Sequence, residues 1–144
     1  MLRRLAPLLA LASFVFAVPS AEATSSLQFG KIVYNSPGTD TRTNTSLNAE
    51  YVVVKNLAST TKCLTGWTVR DAQAHVYKFG TFCLGGYKSV TLHTGHGTNT
   101  ATNRYWNSGS YIWNNTGDKA YLRNSAGTLM DSCAWGNGIG YVNC

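Results

Sequence analysis

Apolar and polar residues alternate along this chain in short bursts instead of recurring every three or four positions. No stretch of 11 residues or more keeps a helical period, so period-two segments between turn-forming residues predict strands. Residues 27–34 form the first expected strand. Its apolar set changes phase between Phe29 and Ile32, as it would across a bulge near Gly30. Residues 35–48 are polar, and Ser36-Pro37-Gly38 marks a turn, so a loop is expected there. Residues 50–55 hold Tyr51, Val52, Val53 and Val54, a β-branched run suited to a strand buried on both faces or nearly so.

Further strands are expected at residues 64–71, 75–79, 88–93, 112–113, 120–123 and 129–134. In the first of these Trp67 and Val69 share one face while Thr68 and Arg70 share the other. Residues 56–62 and 95–103 read as loops, and residues 114–118 and 124–127 as turns. Seven or eight short strands, with turn signals about every 8 to 12 residues, predict one all-β domain, a sandwich or barrel.

The first residues depart from this pattern. Arg3 and Arg4 precede an almost wholly apolar run over residues 5–18, and Ala21-Glu22-Ala23 offers a small-x-small cleavage site. This predicts a secretory signal over residues 1–23, a mature domain over residues 24–144, and a secreted protein with no stable membrane insertion after cleavage. The apolar run is shorter than the roughly 20 residues that span a bilayer. The formal net charge is +6; without Arg3, Arg4 and Glu22, ten basic and five acidic residues remain, or +5. The basic residues stand singly with no run, which reads as a solubility charge and leaves an anionic partner as the alternative. Cys63, Cys83, Cys133 and Cys144 are an even set behind a signal sequence, which predicts disulfides. Of the three possible pairings, Cys63–Cys83 and Cys133–Cys144 are favoured, each closing a short loop worth on the order of 3 kcal/mol.

The ordered series Asn48-Ala49-Glu50-Tyr51-Val52-Val53-Val54-Lys55-Asn56, Leu64-Thr65-Gly66-Trp67-Thr68-Val69-Arg70-Asp71, Tyr77-Lys78-Phe79, Leu84-Gly85-Gly86, Val90-Thr91-Leu92-His93-Thr94-Gly95, Trp113-Asn114-Asn115-Thr116-Gly117-Asp118 and Leu122-Arg123-Asn124-Ser125-Ala126-Gly127 resembles the lamin tail domain in its bacterial secreted form. The resemblance implies an immunoglobulin-like β-sandwich that serves as an interaction module. No catalytic domain is expected beside it within residues 24–144. Glu50, inside an apolar strand, needs a partner, and Arg70 or Lys55 are the candidates. Gly66 is expected to leave room for the Trp67 ring, and residues 114–118 to supply positive-φ positions and side-chain caps for a hairpin.

Catalytic chemistry finds little support. No nucleophile-elbow pattern flanks a serine, five acids make a glycosidase pair improbable, and phosphate-binding glycine loops are absent. His93 and His96 could seed a metal site, but no third ligand is selected by spacing. No metal or cofactor is therefore expected, and His75 reads as a core-edge residue beside Tyr77 and Phe79. Binding is the remaining class, with an unknown protein or a cell-envelope polymer as partner. Arg104, Tyr105 and Trp106, with His93 and His96, are the candidate binding residues. Their aromatic rings would suit a cell-wall glycan, and Arg104 beside two rings would suit single-stranded nucleic acid, ranked lower for want of a basic stripe. Asn44-Thr45-Ser46 and Asn114-Asn115-Thr116 are glycosylation acceptors whose use depends on the host.

Overall fold

The structure, a computed structural model, describes residues 14–17 and 24–144. The rest of the expected signal over residues 1–23 lies outside the described residues. The elements in chain order are β1 (Leu27–Val33), α1 (Asn44–Asn48), β2 (Tyr51–Asn56), β3 (Lys62–Cys63), β4 (Thr68–Arg70), β5 (Val76–Lys78), β6 (Cys83–Leu84), β7 (Ser89–His93), β8 (Asn103–Tyr105), β9 (Asp118–Arg123), β10 (Leu129–Trp135) and β11 (Tyr141–Asn143). A five-stranded sheet runs β11-β1-β2-β7-β8, a four-stranded sheet runs β10-β9-β4-β5, and β3 pairs with β6. The inner faces of the two larger sheets share one core, so the chain is an immunoglobulin-like sandwich.

Strand alternation builds that core. Phe29, Ile32, Val52, Val54, Val90 and Leu92 meet Val69, Ala120 and Leu122 from the other sheet. A run of ring contacts crosses it from Tyr34 through Trp135, Trp113, Trp106, Tyr77 and Phe79 to Phe82, with centroids 5.0–5.9 Å apart. The β2 strand is not buried on both faces as expected. Val52, Val54 and Asn56 are buried while Tyr51, Val53 and Lys55 are half-buried, because alternate residues face the core and the outer side of the sheet. The expected bulge in β1 is present, with the register shifting between Phe29 and Ile32. The displaced Phe29 amide donates instead to Asp131 of β10, at 2.7 Å.

Four local expectations are corrected. The segment 35–48 contains the single turn α1, capped by the Thr43 hydroxyl, which accepts from the Ser46 amide, and plugged into the core by Leu47. The strand expected at 64–71 shrinks to β4, because Leu64 and Trp67 close a turn in which Gly66 has φ +78°. That positive φ, rather than room for a ring, is what requires glycine there. Residues 112–113 are buried but form no strand, since their amides turn to a carboxylate instead of a neighbouring strand. The loop expected through Asn103 ends in β8, which pairs parallel with β7.

Both expected disulfides form. Cys63 and Cys83 face each other across β3 and β6. Cys133 of β10 bonds Cys144, just past β11, and so joins the edge of one sheet to the edge of the other. Asp131→Ala would leave the Phe29 amide without its acceptor in the bulge. It should lower stability by about 2 kcal/mol in urea titration, whereas Asp40→Ala at an exposed position should stay within about 0.5 kcal/mol of the parent. Equal effects would contradict the clamp.

Candidate functional site

Carboxylates near unsatisfied backbone amides form strong, charge-assisted hydrogen bonds, and four of the five acids in residues 24–144 are used this way. Asp131 accepts from the Phe29 and Ser132 amides. Asp118 accepts from Ala72, Asn114 and Lys119, capping the turn at residues 114–118 as the sequence suggested. Asp71 accepts from the His75 amide and meets the His75 ring at 2.5 Å. His75 is thereby an exposed turn residue, not a core-edge side chain. The preceding Ala74 has φ +70°, which turns the β4–β5 hairpin so that the ring points to its buried partner.

Glu50 is fully buried and pairs with neither Arg70 nor Lys55. Both of those side chains point to outer sheet faces. Its Oε1 instead accepts from the Thr94 hydroxyl at 2.7 Å and from the Ile112 and Trp113 amides at 2.8 and 3.4 Å. Burial pushes its pKa up from 4.5 to about 7, against the opposing pull of these donors and with a smaller contribution from Asp40.

The candidate binding residues are divided by the pleat of β8. Arg104 lies opposite Leu92 on the core side, its guanidinium 4.0 Å from the Phe82 ring centroid. Burial raises the pKa of the neighbouring Tyr77, and Arg104 opposes that rise. Trp106 is half-buried between Tyr77 and Trp113. Tyr105 points the other way and stacks on His93 with centroids 5.1 Å apart. Both His93 ring nitrogens are engaged, Nδ1 with the Asn48 carbonyl at 2.8 Å and Nε2 with Asn103 Oδ1 at 2.9 Å. His96 is exposed, and only its backbone is gripped, by Asn44 and Asn48. The structure thus unites Tyr105 with His93 and separates both from Arg104, Trp106 and the His96 side chain.

Cross-strand register extends the Tyr105–His93 pair. Tyr141, Val33, Tyr51, His93 and Tyr105 are successive partners across all five strands of the larger sheet. At about 4.8 Å per strand this outer row spans roughly 19 Å. Tyr51 lies 5.9 Å from His93, and Tyr141 is 40% exposed beneath the Lys31 ammonium.

The outer face of the smaller sheet is different. Alternation in β9 turns Lys119, Tyr121 and Arg123 outward while Asp118, Ala120 and Leu122 are buried. Arg70 pairs in register with Tyr121 and Val76, and Thr68 with Arg123 and Lys78. Two pairs of basic residues that stand far apart in the chain, Arg70 with Lys78 and Lys119 with Arg123, therefore share one face. The absence of a basic run concealed this; the signal available in the sequence was the alternation of Asp118-Lys119-Ala120-Tyr121-Leu122-Arg123.

An immunoglobulin-like sandwich with open sheet faces has the architecture of an interaction module. Residues 20–137 match the Lamin Tail Domain family, and the chain belongs to that family, which is immunoglobulin-like and non-catalytic. The match ends before β11 and Cys144. No curated protein matches the chain.

The raised Glu50 pKa sets a pH dependence with a definite sign. The unfolded chain ionises this carboxyl near 4.5 and the folded chain near 7, so stability is fully present below 4.5 and lost as pH rises to about 7. The loss is on the order of 3 kcal/mol. Glu50→Gln keeps an acceptor for Ile112 and cannot ionise, so urea midpoints measured from pH 5 to 8 should fall less steeply than those of the parent. Parallel curves would contradict the assignment.

Proposed function

We propose that this protein is an exported, non-catalytic binding module that works through its open sheet faces. The observation that carries this reading is a division of charge: four of the five carboxylates in residues 24–144 accept from backbone amides, while Lys119, Tyr121 and Arg123 on one sheet and His93 and Tyr105 on the other stand on outer faces. Acids held this way are poorly placed for general acid–base work on a substrate. Family membership supports the same reading. Export rests on the signal pattern over residues 1–23 and on two disulfides, which persist in oxidising compartments. No helix among the described residues is long and apolar enough to cross a membrane. The mature domain is then residues 24–144, with no cofactor needed and a protein or an envelope polymer as partner.

The row of Tyr141, Tyr51, His93 and Tyr105 favours a second reading, stacking on a neutral glycan. Such contact would place Tyr105, rather than Trp106, at the ligand.

Two measurements test these readings. The intact mass of protein recovered from the growth medium should match residues 24–144 with both disulfides closed; retention of residues 1–23 in a cell-bound product would contradict export. Co-sedimentation with insoluble wall polysaccharide at high salt should be reduced by Tyr105→Ala if the aromatic row stacks on sugars. Salt-resistant sedimentation that Tyr105→Ala leaves unchanged would overturn that second reading.

A further inference from the structure

Arg70, Lys78, Lys119 and Arg123 hold the same side of the smaller sheet, and that face presents no acidic residue. Strand geometry places Lys119 and Arg123 roughly 14 Å apart along β9, with Lys78 roughly 10 Å from Arg123 across two strands. None of the four makes an ion pair; among the described residues the one ion pair is His75 with Asp71. Unneutralised cations this close repel one another and raise the local potential, which an anionic chain laid across them would relieve.

From this charge complementarity we infer that the outer face of the four-stranded sheet docks an acidic polysaccharide. The inference rests on the binding role proposed above and names its partner. The face is a strand surface that presents cations from three neighbouring strands, so it suits an extended chain that crosses strands. Hydroxyls of Thr68 and Ser132 lie among the cations to meet sugar hydroxyls. Recognition by charge is favoured over base stacking because the one aromatic ring present, Tyr121, is already engaged. Lys119 Nζ lies 5.1 Å and Arg123 Cζ 5.6 Å from its centroid. A single-stranded nucleic acid would need free rings on which successive bases stack.

The test is binding of the disulfide-intact protein to polygalacturonate at low and high ionic strength, with dextran and single-stranded DNA as parallel probes. Polygalacturonate should bind at low salt and weaken by about tenfold or more at high salt, while dextran does not bind. Lys119→Glu with Arg123→Glu should weaken low-salt binding by about tenfold or more. Arg42→Glu with Lys88→Glu changes the net charge equally at exposed positions elsewhere and should change it by less than about threefold. If the first pair disturbs folding in a thermal melt, Arg70→Gln with Lys78→Gln serves in its place. Equal losses from both pairs would overturn the face assignment, and salt-independent binding would overturn the charge mechanism. Binding of DNA without polygalacturonate would overturn the partner class. Binding to neither polyanion, with wall polymer still co-sedimented, would overturn this inference and leave the general binding role standing.

Discussion

One carboxyl oxygen joins three parts of the chain. Glu50 stands just before β2, Thr94 just after β7, and residues 112–113 lead across to β9 in the opposite sheet. All three meet at Glu50 Oε1, and the Thr94 amide donates to the Glu50 carbonyl as well. A buried carboxyl with no cation beside it is costly when ionised. It persists here because it satisfies backbone amides that would otherwise be buried without partners, and because burial lets it hold a proton toward neutral pH. The same contact explains why Ile112 and Trp113, apolar and buried, leave the strand ladder.

Three further acids repeat this solution. Asp131 stabilises the bulge in β1, Asp118 the turn before β9, and Asp71 the β4–β5 hairpin. Irregular backbone is the weak point of a small sandwich, since each bulge or turn frees amides that the ladders do not bond. Placing carboxylates at those points leaves the lysines and arginines among the described residues without acidic partners. The charge asymmetry of the surface is thus a by-product of how the backbone is satisfied, and the binding faces inherit it.

Strongly alternating strands were legible in the sequence. β7 and β9 announce themselves through alternation, β1 through alternation that changes phase at its bulge and β2 through its β-branched run, and the even cysteine set with short spacings points to the disulfides that form. β8 and β11 were not legible, because Asn103-Arg104-Tyr105 and Tyr141-Val142-Asn143 are too short to show a period and are held by partners distant in the chain. The partner of Glu50 was hidden for another reason: backbone amides leave no mark in a sequence, so the expectation turned to Arg70 and Lys55. The binding residues were only half legible. Tyr105 and His93 do meet, but the adjacency of Arg104, Tyr105 and Trp106 in sequence becomes divergence on a pleated strand. The clustering of Arg70 and Lys78 with Lys119 and Arg123 appears only once β4 has paired with both β5 and β9.

Inward carboxylates and outward, unpaired cations are the centre of this account, and paramagnetic relaxation by paired anionic and cationic cosolutes measures that asymmetry directly. Protons of Arg70, Lys78, Tyr121 and Arg123 should be relaxed more strongly by the anionic cosolute than by its cationic counterpart. Protons around the exposed Asp40 should show the reverse. Equal relaxation by the two cosolutes over β4, β5 and β9 would show that these cations are neutralised within the protein, and would contradict the account.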